Sequence, residues 1–316
     1  MTTRPRRALR TGVLLLLLLY ALGGPARAEA ETKLAEVEGA GLLFLEGEVG
    51  VYYSEGHLQR AKDLQAVVED ASDYFAVPEV LDLALELTLV VLDPEDWGAV
   101  SRRPYGVPHV WALPDEPKLA FMPAAGESPI AALNLALKER LPAARLEAFS
   151  DLGLSFDEAA VRFADLILLH EIGHAYAFGY LPYFPQRWLN EFLATYLAYA
   201  YFSERDPEAA KLWAAMNDVL VEASEHPHTT LADFDRLYIR GVGLENYGWY
   251  QGKFQQRAAE VFEAAGPGFL HAFRESWLET PDAPPEDPRR LGQLEAVHPG
   301  FTAWASGADG DLGAAP

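Results

Sequence analysis

The segment Ser155–Gly179 constrains this chain more than any other. Ser155-Phe156-Asp157-Glu158 reads as a capping box, with Ser155 as N-cap and Glu158 able to reach back to the Ser155 amide. Asp157 and Glu158 also suit the positive end of a helix dipole. From Ala159 to Phe178 there is no proline, and Gly173 is the single glycine. Val161, Phe163, Leu166, Ile167 and Leu169 cover much of the helical surface, which predicts a buried helix. Gly179 is the expected C′ stop, with Pro182 just beyond. Within this apolar helix stand His170, Glu171 and His174, polar groups whose burial is costly unless they are satisfied.

His170-Glu171-Ile172-Gly173-His174 has the form H-E-x-x-H. On a helix the two histidines lie one turn apart on one face and can share a zinc ion, while Glu171 can take a proton from water beside it. The alternative is a pair of core histidines hydrogen-bonded to backbone, with Glu171 at the surface. A catalytic zinc usually has three protein ligands and one open position. Glu191 is the candidate third ligand. It belongs to Arg187-Trp188-Leu189-Asn190-Glu191-Phe192, the start of a second expected helix that runs to about Tyr201. Pro182 and Pro185 in the intervening loop would let this helix fold back, so that Glu191 faces the histidines. Thr195, one turn further on, could then hydrogen-bond the outer nitrogen of a ligand histidine.

His170–His174 followed by Trp188-Leu189-Asn190-Glu191 resembles the gluzincin metallopeptidases, in particular the peptidase-MA-like group and the aminopeptidases with a W-L-N-E-G-F-A segment. The likeness is dense over 155–201 and weak elsewhere. It implies one zinc ion held by His170, His174 and Glu191, with Glu171 as general base. Two departures are Phe192 in place of the usual glycine and a slightly shorter spacing. The family often supplies a tyrosine to the oxyanion. Within Asn246-Tyr247-Gly248-Trp249-Tyr250-Gln251-Gly252-Lys253 the resemblance singles out Tyr250, with Tyr247 as the alternative. A G-x-M-E-N segment, which recognises the substrate amine in the aminopeptidases, is absent; Phe121-Met122-Pro123 is the nearest methionine context. The implied activity is therefore hydrolysis of peptide bonds without aminopeptidase specificity. A catalytically inactive gluzincin-like protein that binds or chaperones peptides in the cell envelope is the alternative.

Residues 1–28 read as a secretory signal. Arg4, Arg6, Arg7 and Arg10 precede the apolar run 13–22, and Ala26-Arg27-Ala28 offers a cleavage site before Glu29. Ten apolar residues are short for a bilayer span. This predicts a secreted or periplasmic protein without stable membrane insertion, with an uncleaved N-terminal anchor as the alternative. The chain has no cysteine, so no disulfide can form and zinc ligands must be His, Asp or Glu. Its net charge is −22; residues 1–28 carry five arginines and no acid, which leaves −27 for the remainder. Such an acidic chain is a poor partner for nucleic acid and for an anionic membrane surface; among the peptide or protein substrates that the resemblance implies it favours cationic or neutral ones over acidic ones, and the alternative is simply a solvated acidic surface.

Strands are expected at 48–53, 83–92, 107–113 and 118–122, with a helix over 57–75 and mainly helical structure after Ile130. The fold class expected is α+β: a lobe with a small mixed sheet and helices at 29–150, then a mainly helical lobe at 151–280. The resemblance makes this zincin-like, with a zinc cleft between the lobes. It implies that 107–113 or 118–122 is the sheet edge beside the cleft, where an extended peptide pairs. Residues 281–288 read as a linker, 291–304 as a short docked helix and 306–316 as a disordered tail. His226-Pro227-His228 reads as a surface turn, and His57, His109, His271 and His298 have no assigned role.

Overall fold

The computed structural model describes residues 26–113, 117–125, 128–182, 184–238, 241–279, 287–306 and 312. Residues 1–25, within the segment read as a signal, and most of the 281–288 and 306–316 segments lie outside them. The chain is mixed α and β, mainly helical, with a small five-stranded mixed sheet. The strands are β1 (Leu43–Leu45), β2 (Gly50–Tyr53), β3 (Leu87–Leu92), β4 (His109–Trp111) and β5 (Lys118–Pro123), in the order β1-β2-β3-β5-β4. β2, β3 and β5 run parallel; β1 and β4 pair antiparallel at the two edges. Of the two candidate edges beside the cleft, the 118–122 strand is therefore internal and the 107–113 segment supplies the edge.

Helices cover both faces of the sheet, as burial of parallel strands requires. α1 (Ala26–Gly39) and α3 (Pro94–Val100) cover one face, where Val37, Trp97 and Val100 pack on Val90, Leu92, Leu119 and Phe121. The opposite face of β3 and β5 turns Leu89, Val91, Ala120 and Met122 into the main core. There they meet α2 (Leu58–Ala76), which crosses from β2 to β3, and α6 (Phe156–Tyr180). The alternation explains why β3, Leu-Thr-Leu-Val-Val-Leu, is apolar on both sides. α4 (Pro129–Leu137) and α5 (Ala143–Asp151) lead into α6. After it come α7 (Arg187–Arg205), α8 (Pro207–Ala223), α9 (Leu231–Leu237), α10 (Leu244–Ala265) and α11 (Gly268–Leu278).

The expected 291–304 helix is two helices, α12 (Asp287–Val297) and α13 (Phe301–Ser306). They separate at His298-Pro299-Gly300, where Pro299 cannot extend the first and Gly300 adopts φ 100°. Leu312, in the segment read as disordered, is buried. Among the described residues no helix is long and apolar enough to cross a membrane.

α6 begins as its sequence predicts. The Ser155 side chain accepts from the Glu158 amide at 3.3 Å, and the Glu158 carboxylate accepts from the Ser155 amide at 2.9 Å. It differs in two respects. Val161 is 56 % exposed, because the outer face of the first turns lies at the surface; Phe163, Leu168, Leu169 and Ile172 are buried. Each such large apolar side chain contributes roughly 1.5–3 kcal/mol relative to exposure, which offsets the cost of bringing polar groups into this helix. Gly179 does not stop the helix. The helix runs to Tyr180 and ends at extended Leu181, as the residue before Pro182 must. Gly179 serves close packing: a Cβ there would lie 2.9 Å from Leu85 Cδ2.

Candidate metal centre

The α6–α7 contact creates the site. A Cβ on Gly173 would lie 2.5 Å from the Ala194 carbonyl oxygen, so only glycine lets the two helices approach this closely. α7 is anchored at its start by Asp235, whose Oδ1 accepts from the Arg187 and Trp188 amides at 2.8 and 3.1 Å. Asn190 braces the preceding loop, donating to the Phe184 and Gln186 carbonyls. Glu191 and Thr195, one turn apart on α7, then face His170 and His174.

The donor atoms of His170, His174 and Glu191 lie within 4.8 Å of one another. Glu191 Oε2 is 3.1 Å from His170 Nε2 and 3.5 Å from His174 Nε2. Two ligands about 2.0–2.2 Å from a tetrahedral zinc lie roughly 3.3–3.5 Å apart, so these separations match a shared ion. His170 Nδ1 is 3.2 Å from Thr195 Oγ1, which in turn donates to Gln251 Oε1 at 3.5 Å. Thr195 can thereby hold the His170 tautomer that carries its proton on Nδ1, which leaves Nε2 able to ligate a cation. His174 Nδ1 is buried without a hydrogen-bond partner, and the Phe178 ring stacks on the imidazole. The donors present, two imidazoles and one carboxylate, thus form a group that could hold a metal ion.

Glu191 is 4 % exposed. Burial pushes its carboxyl up, but His174 and His170 outweigh this and hold it well below the usual carboxylate range. Its Oε1 accepts from the Tyr238 hydroxyl at 3.0 Å and its Oε2 from Gln251 Nε2 at 2.8 Å. Glu171 points the other way, across to the sheet. Its Oε2 accepts from the Val110 amide of β4 at 3.1 Å. Burial pushes the Glu171 carboxyl up to about 7; Glu191 adds to the rise, while His170, Arg103 and the Val110 amide oppose it. A carboxyl titrating near neutrality can both accept and return a proton.

Of the residues singled out in the sequence, His170, His174 and Glu191 converge, with Glu171 beside them and Thr195 behind His170. Tyr250 is elsewhere. It is fully buried, its hydroxyl donates to the Thr230 carbonyl at 2.8 Å, and its ring packs on Phe234 and Trp249. The reason is the setting of α10. Gly248 and Gly252 form the face that docks on α8; a Cβ on Gly252 would lie 2.7 Å from the Asn217 carbonyl oxygen. At about 100° per residue, Tyr247 and Gln251 then turn to Glu191 and Tyr250 turns to α9. The Tyr247 phenol is raised well above its ordinary value, first by burial and then by the Glu191 charge that its hydroxyl approaches. Tyr238, at the end of α9, is raised chiefly by Glu191. Tyr238 and Gln251 are the site residues that sequence reasoning missed. The i, i+4 spacing of Tyr247 and Gln251 was the available signal.

No family model, no curated protein and no solved structure matches this chain.

Proposed function

We propose that this protein is an exported zinc metallopeptidase of the gluzincin type. The observation that carries the reading is the convergence of two imidazoles and a buried carboxylate on one point, with a second carboxyl beside it anchored to an edge strand of the sheet. That layout supports a zincin-like architecture: an antiparallel edge strand, a helix bearing both histidines, and a following helix bearing the glutamate. The export signal read at residues 1–28 supports the location.

His170, His174 and Glu191 would hold the zinc, which when bound supplies Lewis acidity to a carbonyl and to water. Glu171 takes the proton of the attacking water and passes it to the leaving amine nitrogen. Thr195, Tyr238 and Gln251 hold His170 and Glu191 in register. Tyr247 donates a hydrogen bond to the oxygen of the tetrahedral carbon, which places the oxyanion role on the tyrosine that faces Glu191. Successive residues of a strand direct their backbone groups to opposite sides, so the carbonyl of Val110 points off the sheet edge together with its amide. An extended peptide can add there as a further strand.

Glu171→Gln is the direct test. Peptide hydrolysis should fall about 10²–10⁴-fold while zinc content stays at the parent level. Unchanged turnover in that variant would remove Glu171 from the mechanism.

A further inference from the structure

Two arginines stand beside the metal centre in a chain that is otherwise strongly acidic. Arg187, Glu191 and Thr195 lie one turn apart on the same face of α7, so Arg187 occupies the turn just outside the site. Its guanidinium stacks 4.7 Å above the ring of Tyr238, the residue whose hydroxyl meets Glu191. Stacking fixes the plane of a guanidinium and leaves its edge N–H groups free to donate. Arg103 approaches from the sheet side, in the loop between α3 and β4. Its backbone is pinned: Trp97 Nε1 donates to the Arg103 carbonyl at 2.8 Å, and the Arg103 amide donates to Ser101 Oγ at 3.2 Å. Its side chain is exposed, and its charge acts on Glu171, Tyr238 and His109.

Among the described residues neither guanidinium has a hydrogen bond or an ion pair. Arg60, Arg140 and Arg145, by contrast, are each occupied by a carboxylate. With 47 acidic against 25 basic residues, partners for surface arginines are plentiful. Arg187, stacked on Tyr238, and Arg103, whose charge acts on Tyr238 and Glu171, lack one and are suited to an anion that arrives with the substrate.

We propose that Arg103 and Arg187 are specificity-determining residues that bind a carboxylate of the peptide substrate beside the metal centre. The proposal rests on the peptidase reading above and names its substrate class: peptides with a carboxylate next to the scissile bond. That carboxylate is supplied by an acidic side chain or by the free C-terminus. Planar, bidentate recognition is what guanidinium offers a carboxylate.

The test is equilibrium binding by calorimetry to the zinc-loaded Glu171→Gln protein, which holds peptides without cleaving them. The probes are acetylated hexa-alanine amides with a single Glu moved along the peptide, the same set with Gln, and acetylated hexa-alanine as free acid and as amide. A carboxylate should tighten binding about tenfold or more over its neutral counterpart, the scale of one hydrogen bond to a charged group. Arg103→Gln and Arg187→Gln should each reduce that preference, and the double variant should abolish it, with affinity for the neutral peptides unchanged. Arg103→Lys should keep part of it. The Glu series and the free-acid pair distinguish the two sources. Equal binding of charged and neutral peptides, no binding of any peptide, or a preference that survives the double variant would overturn the proposal. Zinc content is read on the same samples. Loss of zinc from the parent would sink the peptidase reading, whereas full zinc without carboxylate preference would sink only the role of the arginines. Because Arg103 is exposed, its variant also keeps the test decisive if the double variant does not fold.

Discussion

His109 and the His170–His174 pair treat a buried imidazole in opposite ways. His109, on β4, is 7 % exposed. Its Nδ1 lies 3.1 Å from the Val107 carbonyl, its Nε2 lies 3.4 Å from Ser101 Oγ, and its ring stacks on Phe121 at 4.6 Å. Both nitrogens are satisfied by neutral groups, and burial, with the Arg103 charge adding to it, lowers its pKa to about 3. That is the core histidine which the alternative reading of the H-E-x-x-H pattern describes. At His170 and His174 both Nε2 atoms instead face a single buried carboxylate, and one Nδ1 has no partner at all. The difference teaches that burial alone does not mark a ligand histidine. Convergence of several donors on one point does.

Four substitutions would break or sharpen that contrast. The largest effect is expected at Tyr247. Tyr247→Phe should lower kcat for peptide hydrolysis about 10²–10³-fold with zinc retained, the cost of one oxyanion donor. Tyr250→Phe should leave kcat near the parent value. A reversal of the two would return the oxyanion role to Tyr250. Next is Thr195→Val, which removes the partner of His170 Nδ1 without changing shape. Zinc affinity measured by chelator competition should fall about 10–100-fold. The smallest effect on the site belongs to His109→Phe, which should leave zinc content unchanged.

His109→Phe should nevertheless alter the pH dependence of stability. The folded pKa of His109 lies below the unfolded value, so the unfolded chain binds the extra proton. The His109 contribution is therefore present above pH ~6.5 and is lost as pH falls toward 3, with a slope of at most about 1.4 kcal/mol per pH unit. Chemical denaturation at a series of pH values in that window should show a flatter profile for the phenylalanine variant. An unchanged profile would mean that His109 is not held neutral by its surroundings.

Much of the candidate site was legible in the sequence because it is written in helical spacing. The capping box sets the start of α6, the i, i+4 histidines share its face, and Glu191 and Thr195 repeat that spacing on α7. What was not legible depends on how helices rotate against one another. Tyr250 looked the better tyrosine by motif, yet Gly248 and Gly252 turn α10 so that Tyr247 and Gln251 face Glu191. Tyr238 arrives from a separate short helix, with no spacing relative to the motif that could announce it. The same limit explains Gly179, which reads locally as a helix stop and serves instead to admit Leu85. In the sheet, the buried run of β3 was plain. β1 was missed, because three residues whose Leu43 and Phe44 are exposed carry no alternation.

The central claim is that His170, His174 and Glu191 form one metal centre. Zinc stoichiometry of the purified protein beside its Glu191→Ala variant tests this most directly. About one zinc per chain in the parent, with much weaker retention in the variant, is the expected result. A parent that holds no zinc even after reconstitution, or a variant that holds it as tightly as the parent, would contradict the account.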